Sequence, residues 1–246
     1  MISNFIKFTI CPDTKKSHLN FISRLLILLL LFFISKFLIF SYEYLIYNIF
    51  HLQLFNTVEN IASDQVTGNI QIKYFKIVVI SSCILIAIFE ELSCRLFLTK
   101  FNTTYFIISV SLIIGINIYN LLNSFLYFPE YKYFISYFMN FIYIFTFASI
   151  TFIIFKISNS LVIYNYFDRV WFNKFPLVYY VVLIVFSLQH LHVLSISEEK
   201  LIFFPLIFIP LLIMGHFLGY VRIRFGLLFS ILLHILYLFP NIYEIL

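Results

Sequence analysis

The chain is 246 residues long, 63% hydrophobic, 22% aromatic and only 11% charged, with a mean hydropathy of +1.02. A soluble domain carries about 25% charged residues, so too little charge is present to cover a water-facing surface. Five Gly, six Pro and three Cys exclude collagen-like chains, disordered tails and disulfide scaffolds. The formal charge of +5 is then a matter of distribution along a membrane protein, and no nucleic-acid partner is expected.

A bilayer core about 30 Å thick needs ~20 mostly apolar residues of helix. Windows of that size predict seven spans, at roughly 24–41, 74–98, 104–128, 135–157, 177–194, 201–221 and 226–239. The runs are continuous rather than alternating, which excludes barrel strands, and helices satisfy their own backbone groups in lipid. The fold class is therefore all-α, a polytopic transmembrane helical bundle. The first run holds Arg24 and Lys36 and lacks a small-residue cleavage site, so it stays as a helix rather than leaving as a signal. Residues 42–56 are expected to lie in the interface, and the last run is short enough to need tilting or local thinning. Residues 1–73 thus comprise a cytosolic segment, a first span and an outer amphipathic connection, with 74–246 as the core.

Orientation follows from the Lys and Arg residues of the connections. Lys7, Lys15, Lys16, Arg24, Lys100, Lys156, Arg169, Lys174, Arg222 and Arg224 put ten cations on one side; Lys73, Lys76, Lys132 and Lys200 put four on the other. The bias predicts a multi-pass protein with a cytosolic N-terminus and an external C-terminus. Cys11, Cys83 and Cys94 lack C-x-x-C spacing, and no disulfide is expected.

Charges inside the spans carry the functional information, because a carboxylate at mid-bilayer costs a few kcal/mol. The second span reads ILIAIFEELSCRLFL. Glu91 and Arg95, at i and i+4, stack as an ion pair about 13 Å below Lys100. Glu90 points about 100° away, without that partner, and a lone buried Glu is a credible proton acceptor. The fifth span holds Phe186-x-x-x-His190, with His192 on nearly the opposite face, and the seventh holds Ser230-x-x-x-His234. His234 lies about 15 Å from Arg224, and His190 about 24 Å from Lys174. His216 falls inside Gly215-x-x-x-Gly219, a spacing that lets helix backbones approach. Asn117, Asn120 and Ser124 form a stripe on the third span that suits either a wet cavity or helix-to-helix hydrogen bonds. Lys36 reads as a snorkelling or interfacial lysine.

Glu90-Glu91-x-x-x-Arg95, Phe186-x-x-x-His190 and His234, in that order, resemble the motifs of the CPBP family of intramembrane proteases, which includes type II CAAX prenyl endopeptidases and bacteriocin-processing or self-immunity proteins. The stretch Gly215 to His234 also looks like the approach to the third motif, and the resemblance covers roughly residues 75–240. It implies an endopeptidase acting on membrane-associated or prenylated CAAX-like peptide or protein substrates. Glu90 and His190 would activate a water, Glu91 and Arg95 would support them, and His234 would help to stabilise the oxyanion. Members are described either as metalloproteases or as glutamate-dependent hydrolases. A His/His/Glu set of Glu90, His190 and His234 suits a divalent metal such as zinc.

One position departs from the pattern. Four residues after the third-motif histidine the family usually has Asn, and this chain has Leu238. Asn241 lies seven residues after His234, beyond Pro240, which disfavours a regular helix. Losing an oxyanion donor typically lowers a rate by about 10²–10³. Either Asn241 or Asn117 substitutes, or the enzyme is slow, or the chain is a non-catalytic immunity or scaffold protein on the same fold. A proton-coupled transporter using Glu90 and Glu91 has the right residue types but shows neither inverted repeats nor broken helix pairs in its sequence.

Overall fold

The computed structural model describes residues 2–50, 84, 85, 87–96, 98, 102–125, 150, 151, 153, 155, 161–189 and 204–245. Every regular element among them is helical: α1 (Ile2–Ile10), α2 (Phe21–Phe50), α3 (residues 87–95), α4 (Thr103–Phe125), α5 (Leu161–Asn173), α6 (Phe175–Gln189), α7 (Phe204–Phe225) and α8 (Leu227–Ile245). Nearly all of the expected fourth span, residues 74–83 of the second, and the 51–73 part of the outer connection lie outside the described residues.

Local chemistry sets the helix ends. Asn20 caps α2 by accepting from Ser23 N at 2.8 Å, and Asn102 caps α4 by accepting from Tyr105 N at 3.1 Å; both satisfy amide donors that a first turn otherwise leaves unpaired. Gly226 ends α7 at φ +105°, with its N–H on Val221 O and Arg222 O. That left-handed conformation is available to glycine without a Cβ penalty, and it turns the chain directly into α8. Between α5 and α6 the chain bends by 93°. The break falls at Lys174, and Pro176, two residues on, has no N–H to give to the carbonyl of Phe172 four residues before it.

Helix α7 is the axis of the packing. It touches α1, α2, α6 and α8, while α8 also packs on α2 and α5 on α6. Among the described residues two helices are long and apolar enough to cross a membrane, through Phe21–Asn48 and Phe208–Phe225, and the bent α5–α6 pair makes a third if it counts as one span. Only 17% of the α2 window is buried, against 67% of the α7 window. Leu26, Leu30, Phe33, Phe37 and Phe40 of α2 therefore face outward, as a lipid-facing helix requires. Tyr179, Phe186, Leu218, Val221 and Leu233 fill the centre.

Three expectations change. The first span does not stop at 41, because residues 42–50 continue α2 without a break; the apolar run has no breaker there. Helix α8 runs through Pro240 to Ile245, where a disruption was expected. Lys36 does not simply snorkel: it is half-buried, its ammonium 5.4 Å from the centre of the Tyr237 ring, and Tyr237 donates to Ser35 Oγ. A cation over an aromatic face gives a lysine an attractive partner within the bundle.

Candidate functional site

Two helices far apart in sequence build the site. Helix α3 contributes Glu90, Glu91 and Arg95, and α8 contributes Ser230 and His234 one turn apart on a single face. Glu91 is fully buried and accepts from Arg95 Nη1, from Ser230 Oγ and, at 3.2 Å, from His234 Nδ1. The expected i, i+4 ion pair is formed. The guanidinium of Arg95 also lies 3.8 Å from the centre of the Phe186 ring, whose edge meets His234 at 6.1 Å between centroids. A buried carboxylate needs such donors, since an unpaired one would be protonated instead.

The other imidazole nitrogen of His234, Nε2, meets Glu90 Oε2 at 3.1 Å. Because Nδ1 faces the Arg95-paired carboxylate of Glu91, it carries a proton. The contact at Nε2 then needs one further proton, held either by the imidazole or by Glu90. Both placements leave Glu90, Glu91, Arg95 and His234 with no net charge, which suits an apolar bundle. Glu90 keeps 24% of its side chain exposed, whereas His234 keeps 2%. The carboxylate at the accessible end of this arrangement is therefore Glu90, one proton away from general base or general acid.

Four of the five residues singled out in the sequence come together: Glu90, Glu91, Arg95 and His234. His190 lies outside the described residues, as does His192. Gln189, immediately before it, is described: its Oε1 accepts from Cys94 Sγ at 3.1 Å. Cys94 is four residues after Glu90 and so shares its helix face, which brings the end of α6 within a turn of Glu90. His216 belongs elsewhere. It bonds Thr9 Oγ1 through Nε2 and the Tyr179 hydroxyl through Nδ1, each at 3.0 Å. Asn117, Asn120 and Ser124 lie on α4 with side chains outside the described set. Cys11 and Cys94 are free; Cys83 is not among the described residues.

Sequence reasoning missed two contributors. Arg222, counted only among the cations of a connection, is buried and donates to Arg95 O and Leu96 O, both at 2.9 Å. It thereby pairs carbonyls that the end of α3 leaves without intrahelical donors. Ser230 was visible only as a neighbour of His234. Its hydroxyl on Glu91 follows from the approach of α8 to α3, which no local spacing encodes.

Zinc needs three or four donors converging on one point. Among the described residues no three His, Cys, Asp or Glu side chains do so, and His234 directs both nitrogens at carboxylates. The described donors alone do not fit a metal; His190, the third of the candidate set, falls outside them. Searches against known protein families, curated proteins and solved structures find no match to this chain.

Proposed function

We propose that the chain is an intramembrane endopeptidase of the CPBP kind, a seven-span bundle with its N-terminus in the cytosol. The observation that carries this reading is the Glu90–His234–Glu91 arrangement, in which one proton is shared between a partly exposed carboxylate and an imidazole held from behind by a second, ion-paired carboxylate. When a peptide carbonyl enters, the Nε2–H of a protonated His234 turns from Glu90 to the carbonyl oxygen and stabilises the charge that develops there. Glu90, released from His234 and assisted by His190, takes a proton from water, and the hydroxide attacks the carbonyl carbon. The tetrahedral intermediate collapses, the C–N bond breaks, and Glu90 returns the proton to the leaving amine. Glu91, itself held by Arg95 and Ser230, accepts from Nδ1 of His234 and keeps the imidazole oriented. The substrates are membrane-associated peptides, prenylated CAAX-like tails among them.

The test is a cleavage assay on purified protein in nanodiscs, with prenylated tail peptides and single-span precursor peptides as probes. Glu90→Ala and His190→Ala are expected to abolish cleavage while the protein still inserts and accumulates; normal turnover by Glu90→Ala would sink the mechanism. A second reading is favoured by Leu238, one turn beyond His234, where the resembled family carries Asn. On that reading the chain is a non-catalytic immunity or scaffold protein, Glu90→Ala leaves its phenotype intact, and Leu238→Asn changes nothing. A proton-coupled transporter ranks third, and proteoliposome flux separates it from both.

A further inference from the structure

Among the described residues the bundle brings together two polar clusters, and a small cavity lies between them. One is the Glu90–His234–Glu91–Arg95 set. The other runs from Thr9 on α1 through His216 on α7 to the Tyr179 hydroxyl on α6. Between Arg95 and Tyr179 lies a cavity of about 10 Å³, with Val182, Phe186, Gly215 and Gly219 among its other walls.

Arg95 is 2% exposed, and its Nη2 has no hydrogen-bond partner among the described residues. Its Nη1 is committed to Glu91, and its contact with Phe186 engages the guanidinium face rather than an N–H. A buried donor on a charged group is costly to leave unmade. Arg95 lines the cavity, whose volume reaches the lower end of the ~10–15 Å³ that one water requires. Its second polar wall, the Tyr179 oxygen, has two lone pairs and a single hydrogen. The two glycines let Leu183, Phe186 and Tyr179 close in on α7 and so bring the cavity's walls together. A Cβ at Gly215 would stand 2.7 Å from Leu183 Cδ1 and 2.8 Å from Phe186 Cδ1, and one at Gly219 would stand 2.7 Å from the Tyr179 hydroxyl.

We propose that this cavity is a binding site for one water molecule, which accepts from Arg95 Nη2 and donates to the Tyr179 oxygen. With that bridge in place a single hydrogen-bonded line runs from Thr9 through His216, Tyr179, the water, Arg95, Glu91 and His234 to Glu90. A guanidinium does not deprotonate in proteins, so the line carries no proton current past Arg95. The water site stands whether or not the chain is a peptidase.

Hydroxyl-radical footprinting of the full chain in nanodiscs, before and after a switch to ¹⁸O-water, tests it. Phe186 is 1% exposed and lines the cavity, whereas Phe217 and Phe229, at 2% and 5%, do not. The expected result is oxidation of Phe186 several-fold above Phe217 and Phe229, with the ¹⁶O label persisting after the switch as a slowly exchanging water demands. Equal oxidation of the three rings would overturn the site. Val182→Ile adds one methylene to the wall and should bring Phe186 down to the level of Phe217; undiminished labelling in that variant would also overturn it.

Discussion

Glu91 accepts from three side chains on two helices, and each donor has a different consequence when removed. Arg95 balances its charge, His234 is oriented by it, and Ser230 fills the second oxygen. Glu91→Gln leaves the Arg95 guanidinium buried without its counter-charge, a change that typically costs about 3–5 kcal/mol. Glu90→Gln acts on a partly exposed group outside that ion pair. Thermal denaturation in detergent should therefore show a much lower melting temperature, or loss of monodisperse protein, for Glu91→Gln and a small shift for Glu90→Gln. Ser230→Ala should fall between them, near the ~1–3 kcal/mol of an unsatisfied buried acceptor. The Glu91–Arg95 pair was legible at i, i+4 because helix geometry is local. The hydroxyl of Ser230, 139 positions from Glu91, was not.

At the scale of elements, α7 carries a proline in its interior and remains continuous. Pro210 has no N–H to give to the carbonyl of Leu206, four residues before it. The Tyr42 hydroxyl of α2 donates to that carbonyl at 2.9 Å, replacing within the bundle a bond that lipid could not supply. Tyr42→Phe should destabilise the protein by about 1–3 kcal/mol. In a Pro210→Ala background the same substitution should do far less, since the alanine's backbone amide then serves Leu206 itself. A double-mutant cycle on melting temperatures measures the difference, and strict additivity would refute the assignment. The bend at Pro176 and the Arg222 contacts to α3 belong to the same class. The proline was legible in the sequence; the groups that compensate for it or exploit it come from other helices.

For the whole molecule, Arg224 ties the N-terminal segment to the α7–α8 corner. It pairs with Asp13 at 2.7 Å and donates to Lys15 O, and Ser17 N donates to Arg224 O at 2.9 Å. Lys7, Lys15, Lys16 and Arg24 therefore share an end of the bundle with Arg222 and Arg224, as the charge bias requires of one membrane face. The exposed Cys11 and buried Cys94 allow a direct reading of that face. In a Cys83→Ser background, a membrane-impermeant maleimide should leave intact cells unlabelled and should modify Cys11 once the membrane is permeabilised. Labelling of intact cells would place the N-terminus outside.

What the residue order alone determined is whatever depends on composition or on near neighbours along a helix. Low charge and long apolar runs impose helices long and apolar enough to cross a membrane, and i, i+4 spacing pairs Glu91 with Arg95. The tertiary structure decided which nitrogen of His234 meets which carboxylate, that His216 joins Tyr179 and Thr9 rather than Glu90, and that Arg222 pairs the carbonyls ending α3. Each of these depends on how far and at what angle separate helices approach, a quantity set by packing around α7 and its glycines rather than by spacing within any one segment.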